Sequence, residues 1–277
     1  MPRAISPGTY PVPSPIPERD AMLSNRLKGK IAIVTGIGSG IGRGCALMFA
    51  QHGAQVMSCD IDVTTAEEGL QLARQDQLDV SSIHPCDLTN PQDVARLVEA
   101  TVEKYGGVDI LVNAAAFGAF APIQEMDFED HWHRTLKGEL DVVFLACKAV
   151  WPKMIARGGG SIINFASANA HVVLRGSPAL AHCAGKGGVL AMTRQLALEG
   201  AEHGIRANTI SPALVVTGAT APRLQEPGFT EAVLAKSMIQ RLGQPEDVAW
   251  CATYLASDES TWVTAADFRI DGGATHC

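Results

Sequence analysis

The residues most suggestive of chemistry lie early in the chain, in Thr35-Gly-Ile-Gly-Ser-Gly-Ile-Gly42. Glycines at 36, 40 and 42 let a backbone turn tightly and approach a pyrophosphate. If a helix starts there, its first N–H groups and positive dipole end face the same anion. Glycines also collect in ordinary turns, so the loop alone is weak evidence. Here it follows the apolar run Ile31-Ala-Ile-Val-Thr35, and Asp60 stands 18 residues beyond Gly42 at the end of a second apolar run. That context is specific for dinucleotide binding. Asp60 would accept hydrogen bonds from ribose hydroxyls, and its charge would repel a 2′-phosphate. The expected cofactor is therefore NAD, with Arg43 close enough in sequence to leave some NADP tolerance.

The elements that must hold this loop can be read from the same pattern. Strands are predicted over 31–35, 55–60, 81–86, 108–112, 161–165, 205–210 and 267–270. Helices are predicted over 42–51, 64–74, 91–105, 128–156, 186–203 and 245–256. Asn90 is a suitable N-cap for the helix that opens with Pro91. Alternation of strand and helix means parallel strands with helical crossovers. Continuous apolar strands mean a sheet covered on both faces. The expected fold is a single-domain, doubly wound α/β sheet of Rossmann type over 28–277, with ligand at the carboxyl ends of the strands. Residues 1–27, with Pro2, Pro7, Pro11, Pro13, Pro15 and Pro17, read as an extended arm.

From about residue 28 to 273 the chain resembles the short-chain dehydrogenase/reductase family, whose loop follows TGxxxGxG. The resemblance implies cofactor contacts from Gly36, Ser39, Gly40, Ile41 and Gly42 in the loop, and from Asp60 and Ile61 after the second strand. It implies the same for Asp87, Leu88, Asn113, Lys186 and Thr217. Asn113-Ala-Ala-Ala116 takes the place of an Asn-Ala-Gly segment, with Ala at the usual Gly. Ser211-Pro-Ala-Leu-Val-Val-Thr217 similarly has Ala213 where Gly is usual. Arg241-Leu-Gly-Gln-Pro-Glu-Asp247 and Asp271-Gly-Gly273 match the family's C-terminal landmarks. Four positions are implied as catalytic: Ser167, His182, Lys186 and Glu139. Two of them depart from the pattern. The YxxxK motif reads His182-Cys-Ala-Gly-Lys186, and the usual asparagine aligns with Glu139. The tyrosines, Tyr10, Tyr105 and Tyr254, all lie elsewhere. Ser167 and His182 are 15 positions apart, about two more than is common in the family.

Interconverting an alcohol and a carbonyl requires a hydride transfer and a proton transfer. Histidine can handle the proton, because it titrates near neutrality. Lys186, four residues on, would disfavour a second positive charge on His182 and leave a neutral base. Ser167 would orient the substrate oxygen. Glu139 is open to three roles: water binding, an ion pair with Lys186 or Lys137, or a second acid/base.

A net charge of −7 argues against nucleic acid or an anionic membrane as partner. No apolar run is long enough to span a bilayer. The opening Met1-Pro-Arg-Ala-Ile-Ser-Pro7 lacks the apolar core of a secretory signal. Seven dispersed cysteines without a CxxC pair fit reduced thiols in a cytoplasmic setting, and no Cys/His spacing suggests a metal. Phe117–Gln124, Asn169–Ser177 and Val215–Met238 would wall the substrate pocket, with Phe117, Phe120, Leu174, Leu224, Phe229 and Met238 against only Arg175 and Arg223. This favours a small, mostly apolar alcohol or ketone. Segment 215–238 would act as a lid. The family resemblance also implies a homotetramer built on helices 128–156 and 186–203. Two other readings stay open: a non-redox acid/base enzyme on the same fold, and a binding protein without catalysis.

Overall fold

The sheet starts from Ile31–Thr35 (β1), five consecutive buried residues. Such a run cannot face water on either side, and the neighbours show why. Ala32 and Val34 point into one apolar layer, whereas Ile33 points into the other. The computed structural model describes residues 25–173 and 177–276.

The elements follow in chain order. Gly40–Gln51 (α1) leads to Gln55–Cys59 (β2), Val63–Gln75 (α2) and Val80–Ile83 (β3). Pro91–Tyr105 (α3) leads to Ile110–Asn113 (β4). A helical run then passes through π turns at Phe128–His133 and Lys137–Asp141, with Arg134–Leu136 (α4) between them, into Val142–Arg157 (α5). Gly160–Phe165 (β5), Leu180–Gly200 (α6) and Ile205–Pro212 (β6) come next. Ala221–Leu224 (α7), Phe229–Leu234 (α8), Pro245–Ala256 (α9) and Asp267–Ile270 (β7) complete the domain.

All strand pairs are parallel, in the order β3-β2-β1-β4-β5-β6-β7. The chain winds outward from β1 to β3 and then crosses back to β4. The crevice at the carboxyl ends of β1 and β4 is therefore the switch point where this fold binds ligands. Phe49, Leu70 and Leu255 from α1, α2 and α9 fill the core on one face. Leu97, Val150 and Val189 from α3, α5 and α6 fill the other.

The predicted element order holds, with three structural differences. Leu27 falls within the expected N-terminal arm, but it is fully buried in the core and its N–H donates to His52 O at 2.9 Å. Arg26 pairs with Glu259 at 2.6 Å, so the chain is already fixed to the domain there. Residues 1–24 of the predicted arm lie outside the described residues. The expected uninterrupted helix over 128–156 contains two widened turns, and Glu139 sits in the second. Helix α6 begins at Leu180 rather than 186, which puts His182 and Lys186 on one helix.

Candidate active site

The glycine loop joins β1 to α1. Gly36 has φ +85° and Gly40 φ +56°, both in the region L side chains avoid. A Cβ on Gly42 would lie 2.2 Å from the carbonyl oxygen of Gly36, so only glycine lets the helix approach its own entry loop. Ser39 caps α1 without a side-chain bond to the helix, and no acidic residue occupies the first turn. The first N–H groups of α1 thus face the crevice with no competing carboxylate, as an anion site requires. A cleft of about 360 Å³ opens over them. Gly36, Ser39, Gly40, Ile41 and Gly42 line its floor, and Asp60, Ile61, Asp87, Leu88 and Thr217 line its walls.

Asp60 extends from the end of β2. Its Oδ2 accepts the Gly38 N–H at 2.7 Å and its Oδ1 the Asp62 N–H at 3.0 Å. A carboxylate has about four acceptor positions, so capacity for ribose hydroxyls is left. A Cβ on Gly38 would come within 2.6 Å of Asp60 Oδ2, which explains a second kind of glycine in this loop. Arg43 lies against the same loop. Its guanidinium donates to the carbonyls of Ile37, Gly38 and Thr65 and approaches Glu68 at 3.5 Å. It clamps the loop to the start of α2.

Asn113 is placed differently from the other expected cofactor residues. It is buried, and its amide donates to Asn164 Oδ1 at 2.8 Å, tying β4 to β5 beneath the cleft. Thr35 has a role that the sequence pattern did not signal. Its Oγ1 accepts the N–H groups of Ala114 and Ala115, both at 3.0 Å, and so sets the wall that follows β4.

The four expected catalytic residues converge at the carboxyl end of β5. Ser167 follows that strand and caps a short 3₁₀ turn, its Oγ accepting the Asn169 N–H at 3.1 Å. His182, in the first turn of α6, places Nε2 3.3 Å from Ser167 Oγ. Its Nδ1 lies 2.5 Å from Glu139 Oε1. Lys186, one turn further along α6, donates to the carbonyl of Phe165 at 2.9 Å.

This geometry corrects two expectations. Glu139 pairs with His182 rather than with Lys186 or Lys137. The charged group against the imidazole is consequently a carboxylate, because the Lys186 ammonium is turned to a backbone carbonyl. Burial pushes Lys186 below the usual lysine range, and the charge of Glu139 partly opposes that shift.

Glu139 is only 4 % exposed, and its Oε2 has no hydrogen-bond partner among the described residues. Space for it comes from Gly185, where a Cβ would lie 2.4 Å from Oε2. The widened turn at Lys137–Asp141 brings Glu139 to this point, and Gly138 passes so close to Phe117 that a Cβ would sit 2.1 Å from its carbonyl oxygen. A buried carboxylate is costly unless it is paired, and the imidazole supplies its partner. With Glu139 ionised and His182 neutral, Nδ1 carries the proton that the carboxylate accepts, and Nε2 faces Ser167 as an acceptor.

Of the expected pocket residues, Phe120 reaches the site, its ring centroid 5.6 Å from that of His182. Phe117 lines the cofactor cleft. Arg223 on α7 stacks over Phe229 of α8 at 4.3 Å, and its guanidinium also reaches Ser177 Oγ at 3.5 Å, linking two of the expected pocket walls. Met238 lies beside Gly273 and is largely exposed. Leu174 and Arg175 lie outside the described residues. At the C-terminal landmarks, Arg241 and Asp247 pair through two bonds of 2.6 and 2.8 Å at the start of α9.

Fold and site together define a dinucleotide-binding α/β oxidoreductase. A family model described as enoyl-(acyl carrier protein) reductase matches residues 36–275, and the chain belongs to the short-chain dehydrogenase/reductase family. It is 37 % identical over 252 residues to a D-threitol dehydrogenase of Mycolicibacterium smegmatis, covering 90 % of this chain and 94 % of that one. It is 32 % identical over 262 residues to a cyclohexanol dehydrogenase of an Acinetobacter species, covering 92 % and 99 %. Among solved structures it is similar to a 7α-hydroxysteroid dehydrogenase complexed with NADH and 7-oxo glycochenodeoxycholic acid. That match has a TM-score of 0.84 and 32 % identity, and covers 90 % of this chain and 96 % of the other.

Proposed function

We propose that this protein is an NAD-dependent dehydrogenase that interconverts a secondary alcohol and a ketone on a small, mostly apolar molecule, with His182 in the proton-transfer role the family usually gives to tyrosine. The observation that carries the reading is the position of His182, with Nε2 at Ser167 and Nδ1 at Glu139. Asp60 at the rim of the glycine-loop cleft and the engagement of Arg43 by loop carbonyls support NAD over NADP. The half-exposed Phe120 beside His182 supports an apolar substrate.

NAD, when bound, supplies the hydride acceptor or donor. The remaining work falls to the chain. Ser167 Oγ holds the substrate oxygen next to His182. In the oxidative direction Nε2 takes the hydroxyl proton. The imidazolium formed lies against the Glu139 carboxylate, which stabilises it and keeps the ring from rotating. Lys186 has ammonium hydrogens beyond the one given to Phe165, and these are available to a ribose. Helices α5 and α6 carry an exposed groove with Phe144, Trp151 and Leu196, which suits the homotetramer the family resemblance implies. The alternation of cofactor is the direct test. A panel of apolar secondary alcohols and ketones should turn over with NAD or NADH in preference to NADP or NADPH. Equal or better turnover with the phosphorylated cofactor would overturn the assignment to NAD.

A further inference from the structure

Ser167, His182 and Glu139 form a line of hydroxyl, imidazole and buried carboxylate. A hydroxyl faces Nε2 at 3.3 Å, and a buried carboxylate holds Nδ1 at 2.5 Å. In the proton-transfer role Nε2 faces the substrate oxygen. Here Nε2 also has a serine within reach, and a third group orients the ring. That is the signature of an activated nucleophile, and it is recognised by geometry rather than by fold.

We propose that these three residues give the protein a second activity, independent of cofactor: hydrolysis of activated esters of small apolar carboxylic acids through an acyl-Ser167 intermediate. Ser167 Oγ attacks the acyl carbon, and its proton passes to Nε2 of His182. The ester C–O bond breaks, and the departing oxygen takes that proton. Water then adds to the acyl carbon and gives a proton to Nε2. Ser167 Oγ leaves with that proton, and the carboxylic acid is released. Glu139 keeps the Nδ1–H bond throughout and faces the imidazolium at both steps.

Three further observations fit this role. Ser167 and His182 are both partly exposed, so an ester can reach the Oγ–Nε2 edge. The Asn169 N–H donates to Oγ, which leaves the hydroxyl hydrogen free for Nε2. Phe120 supplies an apolar surface beside the pair.

The test uses the full-length native protein without added cofactor. It is treated with a fluorophosphonate probe and digested for mass spectrometry, and separately mixed with p-nitrophenyl butyrate. The expected result is probe mass on the peptide carrying Ser167 and a p-nitrophenol burst near one per chain. Ser167→Ala should lose both. His182→Gln should slow the burst by about 10²-fold or more, the usual value of a general base. Probe mass absent from Ser167, or ester turnover unchanged in Ser167→Ala, would overturn the proposal. Labelled Ser167 in a protein with no NAD-linked turnover would leave this activity standing and remove the dehydrogenase reading. NAD-linked turnover with unlabelled Ser167 would do the reverse.

Discussion

Replacing Glu139 with glutamine isolates what the buried carboxylate contributes. The side chain keeps its shape, and its amide oxygen can still accept the Nδ1–H of His182. Only the charge is lost. With Nδ1 and Oε1 2.5 Å apart, the centres of the two charged groups are about 4 Å apart. At an effective dielectric constant near 20, unit charges at that distance attract by about 4 kcal/mol. A transition state with the proton half transferred to Nε2 would receive about half of this, about 2 kcal/mol, which corresponds to about 30-fold in rate. Steady-state kcat/KM for alcohol oxidation should therefore fall about 30-fold in Glu139→Gln. NADH affinity, measured by fluorescence titration, should stay within about threefold, because Glu139 does not line the glycine-loop cleft. A loss in kcat/KM below about threefold, with the variant folded, would refute the claim that the carboxylate stabilises the imidazolium.

Gly185→Ala should act through the same pair. Its Cβ would fall 2.4 Å from Glu139 Oε2 and displace the carboxylate, so activity should drop at least as far as in Glu139→Gln while NADH titration changes little. Asp60→Ala removes the acceptor of the Gly38 N–H and the charge at the ribose end of the cleft, and should narrow the preference for NADH over NADPH by about tenfold in paired titrations. Stability should fall at alkaline pH. Burial raises the thiols of Cys147 and Cys251 from the usual 9.0 to about 12. Below pH 9 they are neutral whether the chain is folded or not; above it they ionise only in the unfolded chain, which favours unfolding progressively up to about pH 12. Urea midpoints should decline between pH 8 and 10.5, and Cys147→Ala should flatten that decline.

The fold was legible because its signals are local. An apolar run such as Ile31–Thr35 or Gly160–Phe165 reports burial on both faces, and the parallel order follows from alternation with helices. The glycine loop was equally legible, since Gly36, Gly40 and Gly42 answer steric demands within a few residues of themselves. The relation between Glu139 and His182 was not, because it depends on the widened turn at Lys137–Asp141 and on the space at Gly185. Spacing points to Lys186, four residues on, as the charge beside His182. The structure instead offers it the Phe165 carbonyl, which no sequence pattern announces. Arg43 is similar: proximity suggests a phosphate, while its acceptors are the carbonyls of Ile37 and Gly38 in the loop and of Thr65 in α2.

The central claim is that His182 moves the proton that accompanies hydride transfer. The most direct measurement is NADH formation and consumption over an apolar alcohol and ketone panel, comparing the native protein with His182→Phe. The account predicts turnover by the native protein and a loss of at least about 10²-fold in the variant, with NADH still bound. Turnover that survives in His182→Phe would contradict it and move the proton to Ser167, Glu139 or water.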